Sequence, residues 1–274
     1  MEGNVSRYLP ERVQKAEAAL WNEPFPRTAT SFLASRYAWG KDADFIRKFH
    51  VGLEPNSWGK PAILFPMKSM EGSWFYTLRS ILEGPKYMHE QGTQPPLYLP
   101  LPPQEEVVYL CEGHSDTLTA RWLGYPAMGL MGTSSWKQHL DYLRQFREVR
   151  VVMDADRAGW KTAGELFVQL CNARLIFLHG PEVNWPAEQF RMLTKTVPYC
   201  DLKLDLSDVA LQYGPAWTRV LMERSGGSFG PGHRDAGWPL VASCSTCGAQ
   251  PAERPRPFLG QGARRYLGLL GVDV

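Results

Sequence analysis

Two aspartates separated by one alanine, Asp154 and Asp156, directly follow the apolar run Val151–Met153. A second acidic group follows another apolar run: VVYLC ends at Cys111 and gives way to Glu112, Gly113 and, one turn on, Asp116. Two unit negative charges ~5 Å apart repel by roughly 3 kcal/mol at an effective dielectric of ~20. Several such pairs would rival a domain stability of ~5–15 kcal/mol. A crowded set of carboxylates must therefore be settled by protons or by a cation. Hard oxygen ligands suit Mg²⁺ or Mn²⁺, which keep several waters and then bind phosphate oxygens. Asp154 and Asp156 could instead cap the helix that follows, a position where Asp is favoured. The triplet alone does not separate the two readings. Glu112-Gly113 at an equivalent strand end favours metal ligation.

Such residues meet only if the elements bearing them are neighbours. From Val107 onward the pattern is regular: strand VVYLC, helix HSDTLTARWLG, short strand PAMGLM, helix SSWKQHLDYLRQF, strand EVRVVM, helix DRAGWKTAGELFVQLC and strand ARLIFLH. Strands alternating with helices predict a parallel sheet with helices on both faces and right-handed crossovers. In open sheets of this kind, chemistry gathers beyond the carboxyl ends of the strands, where Glu112 and Asp154 stand. Upstream, helices are expected over residues 10–22, 29–37 and 42–49, followed by the β-type runs PAILFPM and SWFYTLRSI around the turn KSMEG, then a loop through EGPKYMHEQGTQPP. Residues 182–200 read as loop with at most one short helix, and DLSDVALQYG and PAWTRVLMERSG as two helices. Prolines near residues 100–105 mark a boundary. The expected organisation is an α+β N-terminal subdomain (1–104), an α/β domain (105–214), and a helix with a Gly-, Pro- and Arg-rich tail (215–274).

The bulk properties exclude several classes. A chain of 274 residues with 44% hydrophobic and 21% charged residues can bury a sizeable core. A formal net charge of +2 is too mild to argue for nucleic acid, so any basic surface must be local. Five cysteines, an odd number lying mostly in apolar runs, predict a reduced chain rather than a disulfide scaffold. No signal-peptide core opens the chain and no run approaches the ~20 apolar residues of a membrane helix. The expectation is a soluble cytoplasmic protein (host cytoplasm if viral) without a membrane partner.

The pairing of CEGHSD with MDADRAG resembles the Toprim domain of DnaG-type primases, topoisomerases and some nucleases. The resemblance extends into the primase branch over roughly residues 28–210. GTSSW resembles the segment after the second Toprim strand, and FIRKFHVGLEP, ILFPMKSMEGSWFYTLRS and GPKYM resemble the primase N-terminal subdomain. It implies a Toprim-like parallel sheet flanked by helices and preceded by a smaller α+β subdomain. It further implies that Glu112 acts on the reacting hydroxyl or completes the metal site, that Asp154 and Asp156 hold Mg²⁺ or Mn²⁺, and that Asp116 supports them. Arg79 and Lys86 would line the groove facing phosphates or template. The further acidic motif of the family corresponds to DLKLDLSD, with Asp205 and Asp208 as candidates. PEVNWPAEQFRMLTKTVPYC intervenes, so either aspartate could reach the site, or Asp208 or Ser207 could cap a helix.

Three other features bear on chemistry. Lys161, near the start of a helix, is a candidate contact to nucleotide phosphate. His114 beside Glu112 could carry a proton, although a loop histidine with a local hydrogen bond is the plainer expectation. Cys244 and Cys247 have knuckle spacing, but one CxxC is half a tetrahedral site, with His233 or Cys200 as the available third ligand, so zinc is not expected. The resemblance implies template-directed synthesis of short RNA primers on single-stranded DNA from NTPs. No P-loop is present, so a replicative helicase would act in trans. A Toprim nuclease and a non-catalytic nucleic-acid-binding module are the alternatives. The primase-type hairpin argues against the first, and the intact acids against the second.

Overall fold

The computed structural model describes residues 10–22, 26–57, 59–69, 72–82, 87–89, 96–101, 105–132, 135–181 and 203–223. Three helices lead in: α1 (Glu11–Trp21), α2 (Pro26–Arg36) and α3 (Ala43–Lys48). Helix α1 buries Val13, Ala16 and Leu20 on one face, as the apolar spacing predicts. Helix α3 is capped by Asp42, whose Oδ1 accepts from the Phe45 N–H at 2.9 Å. The other carboxylate oxygen of Asp42 accepts from Trp122 Nε1 at 3.2 Å, joining this region to the domain that follows.

An antiparallel sheet comes next: β1 (Gly52–Ser57), β2 (Lys60–Lys68), β3 (Trp74–Ser80) and β4 (Tyr87–His89), paired in that order. The sequence pattern anticipated β2 and β3. Strand β1 was not expected, because its GLEPNS carries a proline and polar residues; it lies at the sheet edge, where a missing N–H is tolerated. Strand β4 falls within a stretch read as loop and also lies at an edge, opposite Thr77–Arg79. One face of this sheet, with Phe65 and Ile63, packs on α2 and α3 and reaches Tyr98 and Leu118 beyond them.

The second sheet is parallel, with β6 (Ala127–Gly129), β5 (Val107–Cys111), β7 (Glu148–Val152) and β8 (Ala173–Ile176) in that spatial order. The helices are α4 (His114–Trp122), α5 (Leu140–Leu143), α6 (Arg157–Gln169) and α7 (Leu206–Glu223). Alternation along β5 divides the core. Val108 and Leu110 face α6, with Ala163 and Leu166, on one side. Tyr109 and Cys111 face α7, with Val209 and Leu221, on the other. The expected α/β architecture, a parallel sheet flanked by helices and preceded by a smaller α+β region, is present. Leu110 is 0% exposed at its centre; truncation to Ala would cost about 2–5 kcal/mol.

One helix departs from expectation: the run over 134–146 forms a 3-10 turn at Ser135–His139 and then only the short α5. The two helices expected at 205–226 are present as the two halves of α7, which is broken at Gly214 (φ 83°, ψ 166°), where Pro215 opens the second half. No helix among the described residues is long and apolar enough to cross a membrane.

Candidate active site

Strands β5 and β7 are direct neighbours, with Cys111 opposite Val152. Their carboxyl ends therefore deliver Glu112 and Asp154 side by side. The Asp154 N–H donates to Glu112 Oε2 at 3.3 Å. Gly113 opens α4 with an extended backbone, and Asp116 lies in the first turn. Backbone pairing brings in the distant acid: Ala155 N–H donates to Leu204 O (2.8 Å) and Lys203 N–H to Ala155 O (3.1 Å). Asp205 thus arrives next to Asp154 despite the long insertion between them in sequence. Gly159 permits a further close approach, since a Cβ there would lie 2.2 Å from Asp154 O.

Glu112, Asp116, Asp154 and Asp205 line one cleft of about 280 Å³, together with Gly113, His114, Ser115, Met131, Gly132 and Tyr87. Asp116 is 5% exposed. Its Oδ1 accepts from the Ser207 N–H (3.1 Å) and Oγ (3.3 Å) at the start of α7. Burial lifts the Asp116 carboxyl well above the usual carboxylate range, the negative charges of Asp205, Asp154 and Glu112 lift it further, and the Ser207 N–H opposes them. Asp205 caps α7, its Oδ1 accepting from the Asp208 N–H at 2.6 Å.

The remaining candidates lie elsewhere. Asp156 is the N-cap of α6: its Oδ1 accepts from the Ala158 and Gly159 N–H groups at 2.9 and 2.8 Å, and it is not part of the cleft lining. The hydrogen bonds thus support the capping reading for Asp156, whereas Asp154 faces the cleft. Asp208 faces Arg36 at 3.5 Å rather than the cleft, so Asp205 is the downstream acid that reaches it, and the cap of α7 is neither Asp208 nor Ser207. Lys161 is 77% exposed and lies 3.9 Å from Glu165 on α6. Arg79 stands one side chain back from the cleft, its guanidinium 4.6 Å from the ring centre of Tyr87, its cross-strand partner. Lys86, Cys200, His233, Cys244 and Cys247 lie outside the described residues.

His114 is not a loop residue but the first residue of α4. It is 3% exposed and packed at 4.0 Å on Phe65, with Tyr87 edge-on at 4.9 Å. Sequence patterning missed Met131, held at φ 58° beside Gly132 (φ 118°), and the part of Ser207 that supports Asp116. The GTS segment begins one residue after Met131 and was the only signal near it, while nothing local marked the pairing of Ser207 with Asp116.

Among the described residues, no group of three or more His, Cys, Asp or Glu side chains is arranged to hold a metal ion by itself. The donor chemistry nonetheless fits Mg²⁺ or Mn²⁺. Such ions are commonly held by one or two carboxylates plus waters and substrate phosphates, and Glu112, Asp116, Asp154 and Asp205 bring four carboxyl groups to one cleft.

Residues 109–185 match a family model described as Toprim-like. Gene 57 protein of Mycobacterium phage D29 is 34% identical over 104 residues, covering 36% of this chain and 68% of the relative. The zinc-binding and RNA polymerase domains of Aquifex aeolicus primase superpose with a TM-score of 0.57 at 18% identity, over 79% of this chain; this chain spans 60% of that one. The DnaG catalytic core gives a TM-score of 0.50 at 18% identity, over 66% of this chain and 73% of that one. With the strand order, the acids at the ends of β5 and β7 and the antiparallel sheet ahead of them, these matches establish that the chain belongs to the Toprim-domain proteins, shares a family with the phage gene 57 protein, and has the fold of a primase catalytic core.

Proposed function

We propose that the protein is a divalent-metal-dependent nucleotidyltransferase that makes short RNA primers on single-stranded DNA. The observation that carries this reading is the convergence of Glu112, Asp116, Asp154 and Asp205 on one cleft whose opposite wall is Tyr87, backed by Arg79. The acids offer oxygen donors for Mg²⁺ or Mn²⁺, and the wall offers an aromatic face and a cation for nucleic acid. When bound, a divalent cation would neutralise triphosphate charge and favour ionisation of the attacking 3′-hydroxyl. Asp154 and Asp205 are the proposed principal ligands. Asp116, held by Ser207, fixes the start of α7 and with it Asp205. Glu112, oriented by the Asp154 N–H, is the proposed acceptor of the hydroxyl proton. The remaining oxygen of Asp156, Arg79 and Lys86 are proposed outer contacts. Zinc is not part of this reading.

The phage origin of the gene 57 relative supports a setting in phage DNA replication, in the cytoplasm of the host. Single-stranded DNA and NTPs are the proposed substrates, and a replicative helicase in trans the proposed partner. The test is incubation with single-stranded DNA, NTPs and Mg²⁺ or Mn²⁺, with products resolved by length. Short RNA that disappears on chelation, and in Asp154→Asn, is expected. Template cleavage with no synthesis would keep the metal site and transfer the activity to a Toprim nuclease.

A further inference from the structure

Tyr37 stands at the C-terminal end of α2, where no motif marks it, yet it lies behind the wall of the cleft. Its ring stacks on Trp39 (centroids 4.6 Å, 4° apart) and meets Phe32 and Phe65 edge-on at 6.4 Å each. Phe32 also lies 6.0 Å from the Arg79 guanidinium, and Arg79 covers Tyr87 at 4.6 Å. His114 closes the ring of contacts, touching Tyr87 and Phe65. Tyr37 and Arg79 therefore occupy adjoining places in one aromatic cage between the two sheets.

The cage is mostly apolar, but it encloses polar atoms, among them the Tyr37 hydroxyl and the inner edge of the Arg79 guanidinium. Tyr37 is 2% exposed, and among the described residues its Oη has no hydrogen-bond partner. The same holds for Nε and Nη1 of Arg79, both buried. A buried hydroxyl and two buried guanidinium N–H groups are complementary, since the phenol oxygen can accept what the guanidinium donates. Leaving them apart forfeits the hydration of all three. Arg79 is near enough to act electrostatically on the phenol, pulling down an ionisation that burial and Tyr87 push up.

We propose that Tyr37 is a positioning residue for Arg79: its hydroxyl accepts from the inner edge of the guanidinium, directly or through one buried water, and fixes the outer edge toward a nucleic-acid phosphate entering the cleft. The choice of phosphate as the occupant rests on the function proposed above. The hydrogen-bonding role of Tyr37 does not. Without the hydroxyl, the guanidinium keeps its stack on Tyr87 but loses the contact that sets its rotation about the ring normal.

Tyr37→Phe removes only that hydroxyl and keeps the stack on Trp39. In protein labelled with ¹⁵N-arginine, the Arg79 Nε–H signal, identified by its loss in Arg79→Lys, is expected to be protected from solvent exchange and to shift or exchange-broaden in Tyr37→Phe, with circular dichroism still that of the parent. Metal-free affinity for fluorescein-labelled oligo(dT) should fall about tenfold, as loss of one hydrogen bond to a charged group implies, and Tyr37→Phe should cause no further loss in an Arg79→Ala background. An unmoved Arg79 signal, or effects of the two substitutions that simply add, would overturn the proposal. If the parent fails to bind the oligonucleotide while the Arg79 signal still moves in Tyr37→Phe, the positioning role stands and the polymerase reading falls.

Discussion

The two sheets supply opposite halves of one cleft by different means. The parallel sheet contributes acids from strand ends: Glu112 and Asp154 follow β5 and β7 by one and two residues. The antiparallel sheet contributes Arg79 from near the end of β3 and Tyr87 from the start of β4, as a cross-strand pair on the face that carries Ile63 and Phe65. Strand ends are loops free to choose any residue, so charges can cluster there at modest cost to packing. A strand face belongs to a core, so a cation placed there must be wrapped in rings: Phe32 and Tyr87 lie over Arg79. The acidic edge thus gathers like charges at a cost in stability, whereas the cationic wall obtains its rigidity from packing.

The sharpest way to break this comparison is at the acids. Glu112→Gln and Asp154→Asn should each lower metal-dependent synthesis at least about 100-fold, measured as primer yield, while circular dichroism remains that of the parent. Retained synthesis in Asp154→Asn would remove the acidic edge from the chemistry. At the wall the expected loss is smaller. Arg79→Ala should weaken oligo(dT) binding about tenfold and lower the salt slope by about 1, because one phosphate contact disappears. An unchanged slope would make Arg79 a purely structural member of the cage.

Stability should move in opposite senses at a cleft acid and a capping acid. The folded protein holds the Asp116 proton more tightly than the unfolded chain does. The stability this contributes is complete below the unfolded pKa, about 3.9, and is lost as pH rises through the higher folded value. In chelator at neutral pH, Asp116→Asn should therefore melt higher than the parent, by about 2–4 °C per kcal/mol of repulsion relieved. Its amide oxygen can still accept from Ser207. The gain should fade as pH approaches 4, and a lower melting temperature at neutral pH would show that Asp116 is not a strained site. Asp156→Ala, which removes the cap of α6, should cost about 1 kcal/mol in chemical denaturation. Asp156→Asn keeps an acceptor and should stay near the parent. Equal losses in both would point to its charge rather than its hydrogen bonds.

Periodicity and residue chemistry alone determined much of this protein. The runs VVYLC and EVRVVM, each followed by acids, predicted β5 and β7, and two acids at equivalent strand ends predicted the cleft, because strand-helix alternation forces parallel neighbours with their carboxyl ends together. The strands β1 and β4 escaped notice because edge strands need satisfy only one row of hydrogen bonds and one buried face, which leaves little pattern to read. Local sequence could not choose between Asp205 and Asp208, three residues apart on one helix start. The pairing of Lys203 and Leu204 with Ala155 made that choice, placing Asp205 in the cleft and turning Asp208 toward Arg36. Nor could it separate Asp154 from Asp156: the acid that caps α6 is decided by where the helix begins relative to the strand, and Gly159, by letting the first turn close over Asp154, assigns one aspartate to the backbone and leaves the other to the cleft. Long-range pairing carries no signature in residue spacing, so only the folded chain could make these assignments.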